Sequence, residues 1–443
     1  MAVALLVAAL AGFYYLGATE HGRRVNVDRS RADQSGYLWD AVAVHGNWQG
    51  NPPVLIGERN RMPVYPGLLA LLYEPDLSPD VFFERGKRLN ILLSMVLLGG
   101  MWLIARRFVP PLAAANFLLV IAFGYFIFKA GYVQCELLFY ALLFGAFVCF
   151  ARLLVLPPGR TAAVLAVAAG VVGALAHLTK ASMLPLAGLY VVVSIAAALV
   201  EFARSSGPEG WKRLAGRALV LSMFAVAFLG TLYPYISNSK RVFGHYFYNV
   251  NTTFYTWYDD WPSASIGTYQ HGDGVGWPKM PPDELPSMQR YLREHSVRQI
   301  ADRLRDGFRD MVVVTYERYW ILKFLVLYAA VALAAAVRRR QAFVALVRQH
   351  LALIAFLLCY ASVYLLAIAF YKPISGTTGR MILAHVAPLV LALSWFLSRP
   401  IFAEAPLAGR IRAGHLQLFI PALMLFDVAF RLWPQLFATF TGY

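Results

Sequence analysis

Polar and apolar positions alternate along this chain on the length scale of a bilayer. Eleven apolar blocks stand out, at 1–19, 89–105, 111–129, 133–154, 161–179, 183–200, 218–236, 311–337, 351–371, 381–398 and 414–431. They approach the ~20 residues that a helix needs to cross a hydrocarbon core of ~30 Å. Lipid offers the backbone no hydrogen-bond partners, so the blocks are predicted to be helical. The expected fold is all-α and polytopic, a single integral membrane domain over 1–443. The first block has no basic segment ahead of it and ends in "YYLGATEHGRR", a poor cleavage site, so it reads as a retained helix rather than a signal peptide.

Two connections are long, 20–88 and 237–310. Both contain amphipathic runs: "GYLWDAVAVHG", "VYPGLLALLY" and "SPDVFFERGKRL" in the first, "MQRYLREHSVRQIADRLRDGF" in the second. Such helices are expected to lie in the interface plane. Composition agrees with the pattern. The chain is 59% hydrophobic and only 14% charged, where soluble domains are about one quarter charged.

Charge then sets the orientation. With a cytoplasmic N-terminus, the inside connections carry fifteen basic residues (Arg106, Arg107, Arg152, Arg160, Arg204, Lys212, Arg213, Arg217, Arg338, Arg339, Arg340, Arg348, Arg399, Arg410 and Arg412) against three acids, Glu201, Glu209 and Glu404. The two long connections, on the other side, hold nine basic and nine acidic residues each. The net charge of +16 is therefore attributed to topology and anionic headgroups, not to nucleic-acid binding. Cys135, Cys149 and Cys359 all sit in or beside apolar blocks, which argues against a disulfide framework or a CxxC zinc site.

The first long connection begins "RADQSGYLWDAVAVHGNWQG" and continues through "ERNRMPVYPGLLALLY". Further on come "KAGYVQCELLFYALLFGAF", "GALAHLTKASMLPLAGLY", "LYPYISNSKRVFGHYF" and "YKPISGTTGRMILAHVAPL". In this order the segments resemble the GT-C superfamily of membrane glycosyltransferases. The nearest branch is that of protein O-mannosyltransferases, lipid A aminoarabinose transferases and related bacterial enzymes using polyprenyl-phosphate sugars. The resemblance implies transfer of a sugar from a polyprenyl-phosphate carrier to a hydroxyl of a lipid or glycan acceptor. It also implies the periplasmic face of a bacterial inner membrane, with no cofactor and no metal required. Mannose, an arabinose derivative and a uronic acid are all compatible with it.

Displacement at an anomeric carbon needs a base for the acceptor hydroxyl, cations for the leaving phosphate and a platform for the sugar. Asp33 matches the family's catalytic acid, and a carboxylate at the membrane edge suits the task if partial burial raises its pKa. The alternative is an N-cap, with the helix starting near Gln34. Many relatives carry a second acid where this chain has Gln34; an amide binds no proton there but hydrogen-bonds a sugar hydroxyl. Arg61 and Arg380 match phosphate-holding positions, and Arg59, Lys240 and Arg241 are further candidates, since a guanidinium grips phosphate in a bidentate way. For each cation the competing role is an interface anchor. Substrate contacts are expected at Gln34, Tyr37, Tyr65, Glu136, Lys180 and Lys372.

Glu136, His177, Lys180, Lys323 and His385 are ionisable residues within the blocks, where charge is costly and marks function. Glu136 is expected to pair with Lys129 or Lys180 or to meet the acceptor. "HYFYNVNTTFYTWYDDW" at 245–261 is either a sugar-stacking surface or an aromatic interface belt. Asp259, Asp260, His271 and Asp273 have no specific metal spacing, and the glycine-rich "HGDGVGWP" follows no strand. Two other function classes compete. A lipid-linked-glycan transporter or flippase would place charges near mid-bilayer. A ligase working from a polyprenyl-diphosphate donor would use a His/Arg pair such as His271 or His295 with Arg290 or Arg293.

Overall fold

A computed structural model describes residues 2–50, 61–205, 207–270, 280–318, 321–375 and 379–436, with backbone alone at 2–7, 268–269, 314–318, 375 and 435. It is about 81% helical. The helices run α1 (Ala2–Arg24), α2 (Gln34–Trp48), α3 (Val64–Ala70), α4 (Pro79–Ala105), α5 (Pro111–Ala130), α6 (Glu136–Val155), α7 (Arg160–Thr179), α8 (Leu184–Arg204) and α9 (Pro208–Phe243). Then follow α10 (Val250–Thr253), α11 (Trp261–Gln270), α12 (Met288–Glu294), α13 (Val297–Arg318), α14 (Leu322–Arg338), α15 (Arg340–Gln349), α16 (Leu351–Ser375), α17 (Gly379–Leu397), α18 (Pro400–Ala403) and α19 (Ala413–Leu432). A short antiparallel hairpin joins β1 (Pro406–Ala408) to β2 (Ile411–Arg412).

Among the described residues, nine helices are long and apolar enough to cross a membrane: α4 to α9, α16, α17 and α19. The chain is an all-α polytopic membrane protein. The first expected block lies in the 23-residue α1. The expected block 311–337 does not form one helix. Its first residues close the amphipathic α13, whose end carries Glu317 and Arg318, and the apolar α14 starts afresh at Leu322 and runs for 17 residues. The 218–236 block is the middle of a 36-residue helix, about 54 Å long at about 1.5 Å per residue and so longer than a hydrocarbon core is thick.

The amphipathic runs appear where the pattern put them. Two of those in the first long connection are α2 and α3. The third opens α4, capped by Ser78, whose hydroxyl accepts from the Val81 N–H. In the second connection α13 lies against the outer end of α16. A Cβ on Gly307 would sit 2.0 Å from the Ala369 carbonyl oxygen, so only glycine permits this approach.

Aromatic rings fill the spaces between the spans. Phe150 and Tyr190 stack at 4.4 Å between ring centres, with Phe224 edge-on to both. Aromatic rings bury more area per residue than aliphatic side chains and interlock at defined angles, which favours a single helix arrangement over sliding.

Candidate functional site

The site begins with a turn. Ala32 and Asp33 both adopt left-handed backbone conformations, at φ 57° and 67°. For non-glycine residues each costs of order 1–3 kcal/mol, so the surroundings must hold them there. They do so through a second turn, residues 131–135, between α5 and α6. Asn26 donates to the Gly131 carbonyl at 2.8 Å. Gln34 accepts from the Val133 N–H at 2.8 Å. The Gln134 side chain donates to the Ala32 carbonyl. The turn bearing Asp33 is thereby pinned to the turn that launches α6 at Glu136.

Asp33 occupies the N-cap position of α2, yet its side chain makes no capping hydrogen bond. The carboxylate, half-exposed, instead accepts from Arg380 Nη1 at 3.0 Å. Arg380 is the second residue of α17 and lies 3.7 Å from Glu136 Oε1. The same Glu136 oxygen accepts from Lys180 Nζ at 3.1 Å. Lys180 is placed by the end of α7, where its backbone turns extended. The Tyr140 hydroxyl donates to the Arg380 carbonyl at 2.5 Å and fixes the first turn of α17. Four charges from α2, α6, α7 and α17 therefore form one chain of contacts at the ends of the spans.

Within this chain two polar atoms are left over. Arg380 Nε and Glu136 Oε2 are buried and have no hydrogen-bond partner among the described residues. Buried donors and acceptors are rarely left unmade, because each costs about 1–3 kcal/mol. Nearby, Arg61 Nε donates to Asp40 at 2.6 Å. Burial pushes the Asp40 carboxyl up, opposed by Arg61. Burial works against the Arg61 charge as well, but the hydrogen bond and charge of Asp40 more than offset it.

Gly36 explains how Arg61 fits. A Cβ there would lie 2.4 Å from Arg61 Nη1, so the guanidinium rests flat against a bare α-carbon of α2. Tyr37, one residue on, contacts Cys135 Sγ at 2.9 Å, and burial drives its phenol well above the usual range.

Asp33, Tyr37, Asp40, Arg61, Glu136, Lys180 and Arg380 all line one cavity of about 1280 Å³. Phe247, Asn249, Asn251, Tyr255, Trp257 and Trp261 of the second long connection line it too. Leu184, Ile368 and Ala384 give it an apolar portion between α8, α16 and α17. The two imidazoles His177 and His385 also line it. His385 Nδ1 pairs with the Tyr360 hydroxyl at 2.6 Å, whereas buried His177 Nδ1 has no partner among the described residues.

Several residues expected at the site stand elsewhere. Gln34 is fully buried, and its amide is spent on a reciprocal pair with Asn26, at 2.8 and 2.7 Å, and on the Arg31 carbonyl. It builds the turn and leaves nothing for a sugar. Tyr65 is fully buried behind Tyr37, edge-on at 5.3 Å, so it supports the wall without forming it. Lys240 caps the end of α9 by donating to the Gly244 carbonyl at 2.7 Å, and Arg241 donates to Asn238 at 2.7 Å. Neither reaches the cavity, because the helix end holds them locally. Lys372 turns away to Asp310, 3.4 Å distant.

Lys323 pairs with Asp427 on α19, apart from the cavity. Lys129 donates to Gln134 rather than to Glu136. Arg59, His271 and Asp273 lie outside the described residues. Asp259 is engaged by His295 and Arg303, and Asp260 accepts from the Ser263 N–H. Sequence reasoning missed Asp40 and Gly36. Asp40 was within reach, since it follows Asp33 by seven residues, two helical turns along one face.

No family model matches the chain, and neither a curated protein nor a solved structure matches it.

Proposed function

We propose that this chain is a membrane glycosyltransferase that moves a sugar from a polyprenyl-phosphate donor to the hydroxyl of a lipid or glycan acceptor. The observation that carries the reading is the position of Asp33. It sits where an N-cap belongs, declines to cap, and points to Arg380 in the lining of a large cavity that Arg61 and Lys180 also line.

In the proposed reaction Asp33 takes the proton of the acceptor hydroxyl. The acceptor oxygen bonds to the anomeric carbon as the bond from that carbon to the phosphate oxygen breaks. The electron pair leaves with the polyprenyl phosphate, whose added negative charge Arg380 and Arg61 stabilise. Arg380 Nε, a buried donor without a partner among the described residues, suits a phosphate oxygen. The aromatic wall from the second connection would hold the sugar face, and the apolar portion between α8, α16 and α17 would take the first isoprene units. We assign the reaction to the face where both long connections lie, periplasmic in a bacterial inner membrane. The grouping of these charges at the ends of the spans supports an enzyme over a transporter, which needs them near mid-bilayer.

The test is transfer from a synthetic polyprenyl-phosphate sugar by purified protein carrying Asp33→Asn. Loss of about 10²–10⁴-fold in turnover, with donor binding retained, is expected for a general base. Full turnover would remove the mechanism, and movement of the lipid across vesicles without transfer would favour a flippase.

A further inference from the structure

α17, which carries Arg380 in its first turn at the cavity, ends beside a second, smaller pocket. α17 has 19 residues and, rising about 1.5 Å per residue, spans about 28 Å, close to the thickness of the hydrocarbon core. The pocket of about 400 Å³ therefore lies at the opposite interface. It is formed by the connection between α4 and α5 and the segment joining α17 to α18.

Its polar lining is Arg107, Arg399 and Ser398, with no acidic residue. The Arg399 guanidinium lies over the Trp395 ring, its carbon 4.6 Å from the ring centre. Stacking fixes the plane and leaves the N–H edge free. Arg399 Nε is buried and has no partner among the described residues. Among the described residues neither arginine makes an ion pair there, in contrast to Arg61 and Arg380, which both hold carboxylates. Next to the pocket along the chain, Leu112 and Ile401 present exposed apolar side chains.

We infer that this pocket binds a phosphate group, that of an anionic phospholipid, at the face opposite the large cavity. Two unpaired guanidiniums supply the anion site, and the exposed leucine and isoleucine supply a surface for acyl chains. Basic pockets between membrane helices at headgroup depth recognise anionic lipids in this way. The site is independent of the proposed transfer reaction.

The test is native mass spectrometry of delipidated full-length protein titrated with phosphatidylglycerol, with phosphatidylcholine as the zwitterionic reference. Wild type is expected to prefer phosphatidylglycerol. The double variant Arg107→Gln/Arg399→Gln is expected to bind it about 10- to 30-fold more weakly, at roughly three- to fivefold per cation. Because neither side chain makes an ion pair among the described residues, the variant should keep its fold. Ser398→Asp, which gives the arginines an internal carboxylate, provides a second route to the same loss. Unchanged phosphatidylglycerol affinity in either folded variant overturns the proposal. Displacement of the lipid by millimolar inorganic phosphate would overturn the lipid as source and assign the same site to a soluble phosphate. Failure of phosphate to compete supports the lipid.

Discussion

The two long connections have the same formal charge balance, nine basic and nine acidic residues each, and put it to opposite use. The first delivers Asp33, Asp40 and Arg61 to the cavity. The second pairs most of its charges within itself, Asp259 with His295 and Arg303, Arg290 with Glu294, Arg305 with Asp302, and gives Asp310 to Lys372 of α16, none of them to the cavity. To the cavity it gives rings and amides, Tyr255, Trp257, Trp261, Asn249 and Asn251. The difference is one of anchorage. The first connection is stapled to the turn before Glu136, so its charges can be held at fixed distances from those of α6, α7 and α17. Under the proposed function, one connection carries the chemistry and the other the recognition.

After Asp33→Asn, the sharpest way to break this division is Gly36→Ala. The added methyl would collide with the end of the Arg61 side chain, which is flexible enough to swing aside. The fold should survive while the guanidinium leaves its place beside Asp40. Displacing a group at a reacting centre by about 1 Å costs up to about 10²-fold, so turnover should fall by up to that factor with little change in melting temperature. Unchanged turnover would take Arg61 out of the proposed site.

Gln34→Glu separates the turn from the chemistry. A carboxylate there would face the Arg31 carbonyl and the Asn26 amide oxygen, both now accepting from the Gln34 amide. Stability should drop by about 1–3 kcal/mol, the cost of a buried polar group left unsatisfied. A denaturation midpoint equal to wild type, together with altered sugar preference, would return Gln34 to the substrate.

These neighbours show how far the sequence could be read. Hydrophobic periodicity gave several of the spans to within a few residues, as for 161–179 against Arg160–Thr179 in α7, but fell about ten residues short of the starts of α4 and α9. It failed at 311–337, because a long apolar average hid the polar break around Glu317 and Arg318. The amphipathic helices were legible because one turn of α-helix repeats in sequence. The partner of Asp33 was not, for Arg380 is 347 positions away and no local pattern links them. Only the resemblance put both residues near one phosphate. Lys240, Arg241 and Lys372 were picked by their place at the outer ends of spans, which does not reveal their short-range partners. Gln34 was misread for the same reason: whether an amide meets ligand or backbone depends on what packs against it.

On the recognition side, Trp261→Ala should be milder. Trp261 is about half exposed, lines the cavity and meets Tyr255 edge-on at 5.4 Å. Removing a stacking surface of this kind should raise KM by up to about tenfold while turnover holds, since an aromatic contact contributes up to about 1.5 kcal/mol. A fall in turnover at unchanged KM would place chemistry on the second connection and dissolve the comparison.

The smallest effect is expected where a cation sits on the right connection but at the wrong place. Lys240 and Arg241 close α9 with bonds to Gly244 and Asn238, and both are exposed. Replacing both with glutamine removes two charges from the outer surface and none from the cavity. Exposed substitutions of this sort shift free energies by about 0.5 kcal/mol or less, which corresponds to a factor of about two in kcat/KM. A loss of tenfold or more, strongest at low ionic strength, would mean that these cations steer the anionic donor toward the cavity. In that case charge on the second connection would serve the site from a distance, and anchorage would not be what separates the two.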